Sequence, residues 1–324
     1  MTRRAAPILP ALPAARIECR RAAARWAELR DGSLADVLAD LDEKEAHHLQ
    51  QMVYRTDLLV FFYSYMRRIQ HSTELGTLLG AITHLLDYVY DHGEFPAEKL
   101  HCFDRAIMWG HPVEPEDQLQ LALSVLARRA WSLVGNREAV AKRLSDMLAT
   151  QQRSLAQSND RRLGENALRR ITWDKGHHAL CVYFAAVDPG FSETEALALR
   201  SLGGYMQYMD DFEDLYEDRM ENRQSLVTGV ARGIAASTWL CWRARQDLRA
   251  LYRQDRARYD YRMFCSCLTL FHTGMLTAVL LREATLRLPA RVRATLVNHK
   301  GRLANRVQFL LSERAILIIN LPHT

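Results

Sequence analysis

Between Gly203 and Ser225 the chain reads GGYMQYMDDFEDLYEDRMENRQS. Asp210, Asp211, Glu213, Asp214, Glu217, Asp218 and Glu221 crowd this stretch, interrupted by Met, Tyr, Phe and Leu. On a helix turning about 100° per residue, Asp210, Asp214 and Asp218 climb one face in steps of about 40°. Asp211, Glu217 and Glu221 fall on the same side, and Tyr208, Met209, Phe212, Leu215, Tyr216 and Met220 fall opposite; Glu213 is the exception. A solvated acidic face is the ordinary meaning of such a pattern. Three features point instead to a cation site. Like charges at i, i+4 repel, and no Lys or Arg interleaves on that face. Asp is a poor residue for a helix interior. Gly203-Gly204 sits in the same helix, where glycine costs stability unless a kink or a close approach is required. An all-oxygen donor set suits a hard cation such as Mg²⁺, which keeps positions open for phosphate oxygens.

A second acidic pair lies in ITHLLDYVYDHGEF, Ile82 to Phe95. Asp87 and Asp91 are i, i+4, Glu94 follows, and Gly93 and Pro96 end the segment. These acids stand at the helix's C-terminal end, the unfavourable end for a carboxylate. Alone they read as two surface aspartates. Beside the longer motif they suggest two acidic helix faces opposed across one cavity.

The elements that must position these groups read as helices. Gly (15) and Pro (9) are scarce in 324 residues, and strand-like alternation is nearly absent. The expected helices are 15–30, 33–53, 56–71, 74–92, 97–109, 115–134, 137–157, 161–186, 192–222, 230–254, 258–287 and 290–319. Ser192 ahead of Glu193 and Glu195 is a start signal, and Asp188-Pro189-Gly190 a turn. The expectation is all-α: one domain over 15–324, a large helical bundle with a central cavity, after a flexible arm over 1–14.

Composition bounds the partners. With 48% hydrophobic residues the chain can fill a sizeable core. A net charge of +5 suits an anionic substrate but is no nucleic-acid signature. Cys19, Cys102, Cys181, Cys241, Cys265 and Cys267 form no metal or redox spacing, in keeping with a reducing cytoplasm. Leu58 to Met66 and Ala315 to Leu321 are the most apolar runs, and no stretch is expected to reach membrane-spanning length. Membrane contact is at most peripheral, and a homodimer is compatible with the sequence.

The two acidic motifs resemble those of the class I isoprenoid (terpene) synthase superfamily. Gln207, Asp210, Asp211 and Asp214 look like the second aspartate motif of trans-prenyl chain-elongating enzymes, but their first motif, DDxxD, is absent. Asp87-xxx-Asp91 with Gln207, Asp210, Asp214, Glu217, Asp218 and Arg223 is similar to squalene and phytoene synthases, with Asp210 in place of their Asn and Glu213 in place of their Arg. The fullest match is to the bacterial large terpene synthases, of the tetraprenyl-β-curcumene synthase kind. MDDFEDLYEDR (Met209 to Arg219) resembles their second motif and WDKGHHALCVYFAAVDPG (Trp173 to Gly190) their Lys-Gly segment. The resemblance covers Ile82 to Ser225; Asn222 and Ser225 keep the spacing of another terpene cyclase pattern, with Gly229 where its Glu belongs.

What the resemblance implies is Mg²⁺-dependent ionisation of a linear prenyl diphosphate, then cyclisation or elimination. Asp87, Asp91, Asp210, Asp211, Asp214 and Asp218 would be the metal residues, with Asp87, Asp91, Asp210 and Asp214 catalytic. Lys175, Arg219, Asn222, Gln207 and Tyr208 would touch substrate. A carbocation then needs a dry aromatic cavity, to which Val60 to Tyr65, Tyr88, Tyr183, Phe184, Tyr205 and Tyr208 are candidates, with core packing as their plainer role. His84, His177 or the released diphosphate would take the proton. The alternatives are squalene/phytoene-like condensation and a non-enzymatic helical adaptor with an acidic groove. A di-iron oxidase needs two Glu-x-x-His motifs, and only Glu45-Ala-His47-His48 offers one.

Overall fold

The computed structural model describes residues 8–41, 43–92, 107, 118–158, 162–220, 222–253 and 260–287. Among them there are helices and no strands. The α-helices are α1 (Ile8–Asp31), α2 (Ala35–Asp40), α3 (Glu43–Arg67), α4 (Thr73–His92), α5 (Gln118–Leu133), α6 (Arg137–Ser154), α7 (Glu165–Val187), α8 (Glu193–Ala198), α9 (Arg200–Glu213), α10 (Leu215–Met220), α11 (Val230–Tyr252) and α12 (Tyr261–Leu286). The chain is thus an all-α bundle. The helices expected over 97–109 and 290–319 lie outside the described residues, apart from Ile107.

Three boundaries differ from expectation. The arm expected over 1–14 is helical from Ile8, with Pro13 inside α1. Pro10 falls in the first turn, where its missing N–H has no partner to lose. The boundary expected near 53–56 does not exist: α3 is continuous, and Arg55 turns to Glu213 of α9 and Asp57 to His71 of the turn into α4 instead of ending it. The single helix expected over 192–222 is three, broken at Leu199 and Asp214.

A ring of packed neighbours organises the bundle: α3 on α4, α4 on α7, α7 on α9, α9 on α11, α11 on α12, and α12 back on α3. The tightest crossing joins α7 to α9. A Cβ on Gly203 would lie 2.4 Å from His177 Cα, and one on Gly176 would lie 2.0 Å from the Gly203 carbonyl oxygen. The backbones touch directly, so Gly203 serves a close approach and not a kink. This crossing sets Lys175, next to Gly176, beside the carboxylates of α9. Leu202, Tyr205, Met209 and Phe212 are buried along the opposite side of α9. Each such side chain contributes about 1.5–3 kcal/mol of transfer free energy.

A buried clamp fixes the far end of α7. Arg67 Nε lies 2.7 Å from Asp188 Oδ2, and its Nη1 2.5 Å from Glu195 Oε1. Tyr63 donates to Asp188 and Tyr252 to Glu195, both at 3.0 Å. Ser192 caps α8 in a capping box with Glu195. Tyr63 also stacks on Phe184, ring centroids 3.9 Å apart.

The expectation about membrane-spanning length is corrected by α12. Tyr261–Ala284 is long and apolar enough to cross a membrane by length and composition, with mean hydropathy 1.7. Its apolar residues are interleaved with Ser, Thr, Cys and His, so no unbroken run marks it. Phe264, Leu268, Met275 and Val279 face the core, while Leu270, Leu280 and Leu281 are exposed.

Candidate functional site

The acidic groups converge where α3, α4, α7 and α9 face one another. Lys175 Nζ on α7 lies 3.5 Å from Asp87 Oδ1 on α4. The same Lys175 acts electrostatically on Asp210 and Asp211 of α9. Gln207, one turn before them, donates its amide to Asp210 Oδ2 at 3.2 Å and to Asp211 Oδ1 at 3.1 Å. Thr172 donates to Asp211 Oδ2 at 3.1 Å. Tyr183 donates to Thr83 at 2.9 Å, and its hydroxyl feels both Asp87 and Asp210.

Arg55 closes the group from α3. Its guanidinium meets Glu213 through two bonds, Nη1 to Oε2 at 2.8 Å and Nη2 to Oε1 at 3.2 Å. Asp210 and Asp214 lie within its electrostatic reach. Glu213, which falls off the acidic face on an ideal wheel, is therefore the bidentate partner of a cation from another helix. This corrects the premise that no cation relieves the ladder: Arg55 and Lys175 do so in part.

Lys175 acts on Asp87, Asp210 and Asp211, and Arg55 on Asp210, Glu213 and Asp214. Burial raises the pKa of Asp210, and Glu213 adds to it, against Lys175, Arg55 and the Gln207 amide. Burial pushes Asp211 up to about 6, against the hydrogen bonds from Gln207 and Thr172. Groups whose charged forms are disfavoured in this way gain from an added cation. The donors are all oxygens from two helices, which fits Mg²⁺ and not a soft metal.

The break after Glu213 has a source remote in sequence. Arg282 of α12 donates to the Glu213 carbonyl at 2.5 Å and to that of Phe212 at 3.4 Å, satisfying helix-end acceptors. Its guanidinium also lies 5.0 Å from the Tyr216 ring centre. The Asp210, Asp214, Asp218 ladder runs across this break with its helical bonds kept: Asp214 N–H donates to the Asp210 carbonyl at 3.1 Å and Asp218 N–H to the Asp214 carbonyl at 2.9 Å. Asp218 is buried in α10, where its carbonyl accepts from Arg223 N–H at 2.7 Å. Asn222 has φ 56 and is exposed, ending α10 in the left-handed conformation common at helix C-termini. The side chains of Asp91 and Arg219 lie outside the described residues.

Of the remaining candidates, Tyr208 is buried and opens toward a different space. It lines a cavity of about 460 Å³ with Trp173, Leu226, Arg232 and Leu240. A second groove of about 850 Å³ lies on the other flank of Trp173, lined by Arg170, Arg200 and Arg243. Neither is lined by Asp87, Asp210 or Lys175. Tyr63, Phe184 and Tyr205 pack as plain core. His177 is held neutral: burial lowers its pKa to about 4, with His178 and Arg200 adding to the effect.

Arg55 and Thr172 escaped the sequence reading. Arg55 meets its partner 158 residues away, and no local pattern marks that pairing. Thr172 stands three residues before Lys175 on the same helix face, a spacing that would have found it. No protein-family model and no curated protein matches the chain.

Proposed function

We propose that the chain is a class I terpene synthase, acting on a linear prenyl diphosphate with Mg²⁺ and releasing diphosphate after cyclisation or elimination. One observation carries this reading: Asp87 of α4 and Asp210 of α9, from two separate acidic motifs, share Lys175 and Tyr183 as electrostatic neighbours. Asp87, Asp210, Asp211 and Asp214 would hold Mg²⁺, which when bound supplies neutralisation of the charge on a departing diphosphate. Lys175 offers a mobile point charge to phosphate oxygens once Asp87 is otherwise engaged. Gln207 and Thr172 orient the Asp210 and Asp211 carboxylates. Tyr183, buried and with its pKa raised to about 12, stays a neutral hydroxyl.

The test incubates purified protein with Mg²⁺ and each of the C10 to C35 prenyl diphosphates, followed by mass spectrometry of the extract and measurement of diphosphate. A hydrocarbon or alcohol of unchanged carbon number supports the proposal, and a joined product of doubled length replaces it by head-to-head condensation. Asp210→Ala and Asp87→Ala should each lower turnover by at least about 10³-fold, as loss of transition-state charge stabilisation does, with unchanged helicity by circular dichroism. Full activity in both would sink the metal assignment. The second reading, a non-enzymatic acidic groove, draws on Arg55 and Lys175, which supply counter-charges from the protein itself; no diphosphate release from any substrate would favour it.

A further inference from the structure

A second titratable cluster lies where α1, α3 and the turn into α4 meet. His71 Nε2 stands 3.0 Å from Asp57 Oδ1 and 3.3 Å from Glu18 Oε1. One donor atom from each of the three residues falls within 4.8 Å of the others. Asp57 is 0% exposed and Glu18 2%. The Thr73 hydroxyl donates to Glu18. Gly76 faces the same carboxylate, where a Cβ would come 2.3 Å from Asp57 Oδ1.

One acceptor in this cluster is left over: among the described residues Asp57 Oδ2 is buried with no hydrogen-bond partner. His71 Nδ1 also has none there, but it is the ring nitrogen that faces neither carboxylate. A buried acceptor without a partner bears its full desolvation penalty, about 1–3 kcal/mol or more when charged. Arg21 reaches Glu18 at 3.6 Å from an exposed position, so Glu18 has a cation of its own while Asp57 Oδ2 is unmet. A buried carboxylate oxygen that is not matched is costly. An imidazole with two carboxylates is a donor set for Zn²⁺ and its neighbours among the transition metals.

We propose that Glu18, Asp57 and His71 form a structural site for a divalent transition cation of the Zn²⁺ class, tying α1 to α3 and to the start of α4. The proposal is independent of the prenyl diphosphate reading, because it uses none of the residues of that cluster. The competing occupant is a proton on His71. Burial opposes its charge, but hydrogen bonds to Asp57 and Glu18 raise its pKa to about 9.

The experiment strips the purified full-length chain with a chelator and titrates it with ZnCl₂ by calorimetry, and in parallel with CoCl₂ by visible absorption. One equivalent should bind, with cobalt d–d bands that saturate at that ratio. Asp57→Asn and His71→Gln should each weaken binding by more than about 100-fold, beyond what loss of a supporting partner costs a metal site. Asp210→Ala should leave it unchanged. Should either cluster variant fail to fold, the cobalt spectrum of the unaltered chain still decides. No saturable cobalt band, or zinc binding unchanged in a folded Asp57→Asn chain, would overturn the proposal.

Discussion

Arg55 and Arg67 leave the same helix, α3, some three turns apart, and each meets a carboxylate pair or cluster. Around Arg67 the hydrogen bonds close. Asp188 and Glu195 together take the Arg67 guanidinium and the Tyr63 hydroxyl from α3, the Tyr252 hydroxyl from α11, and the Gly190 N–H and the Ser192 N–H and hydroxyl from the turn between α7 and α8. Around Arg55 they do not. Glu213 takes the guanidinium, Asp210 and Asp214 crowd behind it, and Arg55 Nε is buried with no hydrogen-bond partner among the described residues. The lesson is that ionic clusters on one helix do different jobs according to whether their buried donors and acceptors are all met. A complete cluster clamps. An incomplete one, held open by the surrounding fold, is where a further cation has something to gain.

The largest expected effect falls on the complete cluster. Arg67→Ala strands two buried carboxylates, and chemical denaturation should show a loss of about 3–5 kcal/mol. A loss below about 1 kcal/mol would place both arginines in one class. Next is pH. His177 is buried beside the crossing of α7 and α9, its pKa lowered from 6.5 to about 4. Above pH 6.5 neither the folded nor the unfolded chain protonates it. Below that, the unfolded chain takes a proton that the folded chain refuses. Its share of stability is therefore complete above pH 6.5 and lost as pH falls to 4, amounting to about 3 kcal/mol. His177→Gln should flatten that part of the stability–pH curve; an unchanged slope would locate the acid sensitivity elsewhere.

Gly203→Ala should cost about 1–3 kcal/mol by overpacking α7 against α9. It should also lower turnover, because Lys175 moves with α7; an unaltered melting temperature would mean that the helices separate freely. The smallest effect separates the two clusters most directly. Mg²⁺ at about ten times its Kd should stabilise the Arg55→Met chain by about 1.4 kcal/mol in thermal melts, and should give the Arg67→Ala chain no more than it gives the unaltered one. Equal rescue of both would erase the distinction.

Much of the fold was legible in the sequence, because it rests on local signals. The helix over 74–92, the cap at Ser192 and the turn at Asp188-Pro189-Gly190 follow from periodicity, capping and turn chemistry. Gly203-Gly204 announced a kink or a close approach, of which the structure shows the second, and the sorting of acids from Tyr208, Met209 and Phe212 placed the right face inward. The rest turned on partners far along the chain. Arg282 ends α9 from 69 residues away, so the 192–222 pattern read as unbroken. Arg55 supplies the counter-charge that the acidic face seemed to lack. The apolar character of α12 was hidden because small polar residues punctuate it every few positions.

The contact between Gly176 and Gly203 has a bearing on how the chain tolerates change. At that point the spacing of α7 and α9 is set by main chain against main chain, with no side chain between them. Exchange of apolar residues elsewhere reshapes the interior without resetting the separation of Lys175 from the α9 carboxylates. Charged register and hydrocarbon volume are therefore separate dials, and sequence drift can turn one while leaving the other where it was.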